Sequence, residues 1–119
     1  MAQDDLSRKV DLAFLAAFYG GLLTENQRRV LELHCEEDLS LSEIAQEVGI
    51  SRQAAHESLS RAAAKLNEME SVLGAASRFR KMEAGLENAL DYLNRGDCTG
   101  AGKILTDLIN YETEETNGI

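Results

Sequence analysis

At 119 residues and with no proline, the chain can bury one hydrophobic core, alone or with an appended arm, without metals or cross-links. Cys35 and Cys98 are too few and too far apart for a disulfide scaffold or a four-ligand zinc site, which fits reduced thiols in a cytosol. The net charge of −9 on its own argues against binding a polyanion, and the Ala-, Leu- and Glu-rich composition predicts an all-α protein rather than a sheet.

Leu6, Val10, Ala13, Phe14, Ala17 and Phe18 recur at spacings of three and four, so the first element is expected to be an amphipathic core helix with these residues inward, ended by Gly20 and Gly21. The apolar run from Leu12 to Leu23 falls short of the roughly 20 residues of a membrane span. Asp4 and Asp5 stand where a secretory signal would be basic. Both features predict a cytoplasmic protein with no membrane span.

Thr24 with Gln27 reads as a capping box opening a helix through Val30, Leu31 and Leu33, which should end near Glu36, Glu37 and Asp38. Ser40 with Glu43 is a second capping box, followed by the stripe Leu41, Ile44, Ala45 and Val48 and then Gly49. Ser51 caps the next helix. There Ala55, Leu59, Ala62, Leu66, Met69, Leu73 and Ala76 alternate spacings of four and three, a heptad-like seam that invites a partner helix. Gly74 lies inside that run, and continuation or a mild bend is expected there. Phe79, Met82, Leu86, Leu90 and Leu93 carry an apolar stripe to the glycine-rich turn NRGDCTGAG, after which Ile104, Leu105, Leu108 and Ile109 form a last helix. The acidic segment from Glu112 is expected to be disordered.

This pattern divides into an N-terminal helical domain, residues 1–73, with a helix-turn-helix at about 40–69, a C-terminal helical arm at 74–111, and a tail at 112–119. The helix-turn-helix rests on steric grounds. Ala45 lets the second helix approach, Gly49 can adopt the left-handed conformation that ends the first, and Ile50 plugs the gap between them. A helical hairpin inside a bundle would satisfy the same sterics. No wing of strands follows. The seam through Leu66, Met69, Leu73 and Phe79, with the C-terminal helices, predicts a homodimer, and fold-back onto the first helix is the competing use of the same residues.

Charge is distributed unevenly. Residues 24–50 are net −5, with Arg28 and Arg29 against seven acids, whereas residues 51–81 are net +3 and residues 82–119 net −6. Arg52 opens the recognition helix although a cation in a first turn opposes the helix dipole by about 0.3–1 kcal/mol. A phosphate accepting from Arg52, the Ser51 hydroxyl and free backbone N–H groups would offset that, though a lone arginine is also compatible with an ordinary solvated charge. With Ala55 and Leu59 inward, Gln53, Glu57, Ser60 and Arg61 fall on the outer face and His56 at its edge, with Lys65 a further cation on the same helix. In the major groove of double-stranded DNA, Gln pairs with adenine, Glu accepts from cytosine and Arg reaches guanine or phosphate. The expected DNA-binding set is therefore Ser51, Arg52, Gln53, His56, Glu57, Ser60, Arg61 and Lys65.

FYGGLLTENQ (residues 18–27) followed by EEDLSLSEIAQEVGISRQA (residues 36–54) closely resembles the YlxM family of helix-turn-helix proteins and is similar to region 4 of sigma factors. The resemblance extends through about Leu73. It implies an all-helical fold, a DNA-binding or regulatory role, and a connection with the signal recognition particle, whose components become candidate partners. For the family, that last link rests on neighbouring genes. Ala55-His56 replaces a Val-aromatic pair of the family, which implies looser packing under the recognition helix.

His34 beside Cys35 is not expected to bind metal, because adjacent helical residues diverge by about 100°. No phosphate loop or strand-borne nucleophile is present, and neither an enzyme nor a cofactor is expected. A helical protein-interaction or RNA-associated module that leaves DNA alone is the alternative function, favoured by the net charge.

Overall fold

The computed structural model describes residues 2–117, with the side chains of residues 7–111. Among the described residues there are six α-helices and no strand: α1 (Ala2–Tyr19), α2 (Glu25–Cys35), α3 (Leu41–Val48), α4 (Arg52–Leu73), α5 (Ala75–Asn94) and α6 (Cys98–Asn117), with a 3-10 turn at Gly20–Leu22. The fold is all-α, as composition predicts. Both capping boxes form: the Thr24 hydroxyl accepts from the Gln27 N–H at 3.1 Å while the Gln27 side chain accepts from the Thr24 N–H, and Ser40 and Glu43 do the same. Each box satisfies two of the backbone donors that a helix start leaves open.

Two compact units divide the chain, residues 1–76 and 77–119. In the first, α1, α2 and α3 all pack against α4. Tyr19, Leu23, Leu31, Ala62 and Leu66 form one buried cluster, and Val30, Leu33, Ile44, Ala45 and Ala55 form the other, with Leu59 packing against both. Leu33, Ile44 and Leu66 are among the largest fully buried side chains, each contributing about 1.5–3 kcal/mol.

Three expectations are corrected here. The inward face of α1 is Leu12, Leu15, Ala16 and Tyr19, whereas Val10, Ala13, Ala17 and Phe18 are exposed; Leu6 lies outside the residues whose side chains are described. Both sets have helical spacing, because the segment from Leu12 to Phe18 is apolar on every side. The α4 seam is used internally at Leu66, which is fully buried and so cannot serve a dimer, and partly at Met69, which is half-buried against the first cluster beside α1, whereas Leu73 and Phe79 stay exposed.

The third concerns Gly74, where α4 stops instead of bending. Gly74 takes φ +62°, its N–H bonds the Glu70 carbonyl at 2.8 Å, and α5 starts at the next residue. Three bonds hold the new helix start. The Tyr19 hydroxyl donates to Glu70 Oε1 at 2.6 Å and accepts from the Ala75 N–H at 3.0 Å, while the same carboxylate oxygen accepts from the Ala76 N–H at 3.1 Å. Tyr19 and Glu70 thus supply the cap that no adjacent Ser, Thr or Asp provides.

In the second unit α5 and α6 are antiparallel across the turn Arg95–Asp97, where Asp97 Oδ1 accepts from the Gly100 N–H at 2.8 Å and caps α6. The helices approach through small residues: Ala89 and Ala101 are buried, and a Cβ on Gly85 would stand 2.6 Å from Leu108. Helix α6 extends to Asn117, through most of the segment expected to be disordered; residues 118 and 119 lie outside the described residues.

Candidate nucleic-acid interface

The interface is built on the connection from α3 to α4. Gly49 ends α3 at φ +79°, and its N–H and that of Ile50 both bond the Ala45 carbonyl, at 2.9 and 3.0 Å. This left-handed closure turns the chain within three residues. Ile50 folds back onto Ala45 and its neighbours in the second cluster, and Ala55 from the first turns of α4 is buried there with no exposed surface. Ala55 therefore fits the space between α2 and α3 without leaving solvent access beneath it. Ser51 Oγ accepts from the Ala54 N–H at 3.0 Å, so the start of α4 is capped.

Helix α4 differs from α2 and α3 in charge at this end. Glu25 sits in the first turn of α2 and Glu43 in that of α3, each complementing the helix dipole, but α4 has no acid in its first turn and begins with Arg52. The burial of Ala55, Ser58, Ala62 and Leu66 fixes how α4 is rotated. Asn26 Nδ2 donates to Ser58 Oγ at 3.4 Å, tying the start of α2 to the same buried face.

Ser51, Arg52, Gln53, His56, Glu57, Ser60, Arg61 and Lys65 are all exposed. At about 100° per residue, Gln53, Glu57 and Ser60 fall opposite the buried face and form one patch, with Arg61 at one edge and His56 at the other. Lys65 continues along the Arg61 side, nearer the buried face, while Arg52 sits at the helix start beyond His56. The eight residues thus form a central polar patch with cations on both flanks rather than one basic stripe. Among the described residues, only Ser51 of the eight has a side-chain hydrogen bond, its cap, and none has an ion pair.

Sequence reasoning left out two further exposed bases of the first unit. Arg28 and Arg29 line an open groove with Glu25, Asn26, Glu32 and Val48, beside the end of α3. They were visible as the only bases between residues 24 and 50, but the rotation of α2 that exposes them follows from the burial of Val30, Leu31 and Leu33. On the far side of the helix-turn-helix, Lys9 of α1 pairs with Asp38, which adopts φ +55° after α2; that hydrogen bond holds the Asp38 carboxyl below its ordinary value. The link needed α1 and α2 to be placed together and had no signal in the sequence.

Burial pushes the Cys35 thiol up, keeping it in the unreactive neutral form beside the first cluster. Among the described residues no three His, Cys, Asp or Glu side chains are grouped to hold a metal ion, and no helix is long and apolar enough to cross a membrane.

A sequence profile for the family described as "putative helix-turn-helix protein, YlxM / p13 like" (UPF0122) matches residues 6–96. The chain belongs to this family. A UPF0122 protein of Symbiobacterium thermophilum is 39% identical over 97 residues, covering 82% of this chain and 91% of that protein. Another, from Clostridium kluyveri, is 31% identical over 106 residues, 89% of this chain and 96% of its own length. A third, from Geobacillus sp. strain WCH70, is 36% identical over 110 residues, 92% and 97% of the two chains. UPF0122 is described by its helix-turn-helix and not by an enzymatic activity. Its match covers α2, α3, α4 and α5 entirely.

Proposed function

We propose that this protein is a cytoplasmic DNA-binding regulator that inserts the N-terminal half of α4 into the major groove of double-stranded DNA. The observation that carries the reading is the start of α4, where a capped helix with no first-turn acid presents Arg52 to solvent with no ion pair among the described residues. In this reading Arg52 and Ser51 grip a phosphate beside the helix N-terminus. Gln53 and Glu57 meet base edges, with His56 and Ser60 adjoining them. Arg61 and Lys65 contact the backbone along the other flank, and Glu57 requires a cytosine partner to avoid repelling the duplex. A homodimer belongs to the reading, because a second recognition helix doubles a small set of base contacts.

The net charge of −9 favours a second reading, in which the protein is an interaction or RNA-associated module of the signal recognition particle pathway. One titration separates the two. Binding to a mixed-sequence duplex, followed by fluorescence anisotropy across salt concentrations, should weaken with a slope near three counterions if Arg52, Arg61 and Lys65 all neutralise phosphates, at about 0.9 per contact. Arg52→Ala should lower that slope by about one and weaken all duplexes alike. If Arg52→Ala binds every duplex as well as the parent does, the DNA reading fails; tighter binding of purified particle RNA or protein than of any duplex supports the second.

A further inference from the structure

The seam between α5 and α6 has two unlike sides. On one, Lys81 closes it: the ammonium donates to the Tyr111 hydroxyl at 3.2 Å and lies 5.3 Å from the ring centre. On the other, Phe79, Leu86, Leu90 and Leu93 of α5 and Leu105 and Ile109 of α6 are each 36–66% exposed. At about 100° per residue the four α5 side chains fall within roughly 60° of one another, to one side of buried Ala89. Leu105 and Ile109 lie to the same hand of buried Ala101, and in an antiparallel pair that sets both stripes on one side of the hairpin. The six positions are all uncharged, and exposed Glu83 borders the α5 stripe about 20° beyond Leu90.

We infer that this face is a homodimer interface, covered by the same face of a second copy to make a four-helix bundle. Its area fits that occupant. At a fractional exposure near one half and ~200 Å² for each large side chain, the six residues show about 600 Å² of apolar surface, at the top of what a monomer's largest patch reaches. Homodimer interfaces are about 65% apolar, so this corresponds to roughly 900 Å² per partner, the size of a standard stable interface. The net charge of −9 opposes self-association in general, but the large side chains at the centre of this face are all uncharged and Glu83 lies at its edge. Among the described residues, the exposed large apolar side chains of α1 are fewer, Val10 and Phe18, with Leu22 in the 3-10 turn after it. The interface deepens the homodimer part of the proposed function and rests on no DNA contact, so a protein that ignores DNA can still dimerise this way.

Sedimentation velocity on the full-length protein, without nucleic acid, tests it. The parent is expected to be dimeric at micromolar concentration, and Leu90→Glu and Ile109→Glu should each raise the dissociation constant at least tenfold with unchanged helical circular dichroism. Val10→Glu, at an equally exposed apolar site on α1, should leave the dimer intact. A parent that stays monomeric at high micromolar concentration overturns the proposal and assigns the face to a different protein. A dimer that survives both α5–α6 substitutions, or that only Val10→Glu dissolves, overturns it as well. If either α5–α6 variant loses helicity, Leu90→Gln and Ile109→Thr must weaken the dimer in its place, or the proposal falls.

Discussion

Removing one oxygen from Tyr19 tests how α4 and α5 are separated. The side chain is 4% exposed; its ring packs in the cluster with Leu23, Leu31, Ala62 and Leu66, while its hydroxyl bridges Glu70 and the Ala75 N–H. Tyr19→Phe keeps the ring contacts and deletes both bonds. A hydrogen bond to a charged group contributes about 1.5–3 kcal/mol, and an orphaned backbone N–H adds about 1 kcal/mol where water reaches it poorly. We expect a loss of about 2.5–4 kcal/mol, or roughly 8–20 °C in melting midpoint for a chain of this length. Urea unfolding and thermal melts followed by circular dichroism measure it, with Tyr111→Phe as the control, since among the described residues its hydroxyl meets the exposed ammonium of Lys81 alone. The alkaline limb gives an independent reading. Burial first, then the bond to Glu70, raises the Tyr19 hydroxyl above its ordinary value. A raised folded pKa contributes stability that is complete below the unfolded value and is lost as pH rises through the folded one. The parent should therefore lose stability at alkaline pH more steeply than Tyr19→Phe. A variant that melts within about 2 °C of the parent at neutral pH would refute the argument that this hydroxyl caps α5.

Gly49→Ala should cost about 1–2 kcal/mol by urea unfolding, all of it from the left-handed backbone, because a Cβ there meets nothing within 4 Å; Gly21→Ala, equally open but without a positive φ, should be neutral or slightly stabilising. Gln53→Ala should weaken the preferred duplex, selected beforehand from random sequences, by about 1–3 kcal/mol and other duplexes little, and equal losses on both would remove Gln53 from base readout. The backbone N–H of Ser40 holds the Glu43 carboxyl below its ordinary value, so Glu43 contributes stability above the unfolded pKa that fades as pH falls through the folded one. Glu43→Gln, which keeps an acceptor and binds no proton, should show a smaller drop in melting temperature between neutral and acidic pH than the parent.

What the sequence determined by itself is local. Capping boxes at Thr24 and Ser40, the stop at Gly49 and the cap at Ser51 are set by residues within four positions of one another, so the helix-turn-helix was legible before any packing was known. Alternation at three and four also located the buried face of α4, because its exposed side is polar. The same reasoning failed on α1, where apolar residues surround the helix and only contact with Leu31 and Leu66 selects Leu12, Leu15, Ala16 and Tyr19 over Val10 and Phe18. It failed again at Gly74. A glycine within a continuous apolar pattern is tolerated in a helix at about 1 kcal/mol, and what tips the chain toward a break is a tyrosine 55 positions earlier that reaches the new helix start. Spacing likewise could not distinguish a seam for a second chain from one for α1, since burying Leu66 and Met69 satisfies the hydrophobic effect equally with either partner. Tertiary structure assigned those residues to the core and left the apolar face of α5 and α6 exposed.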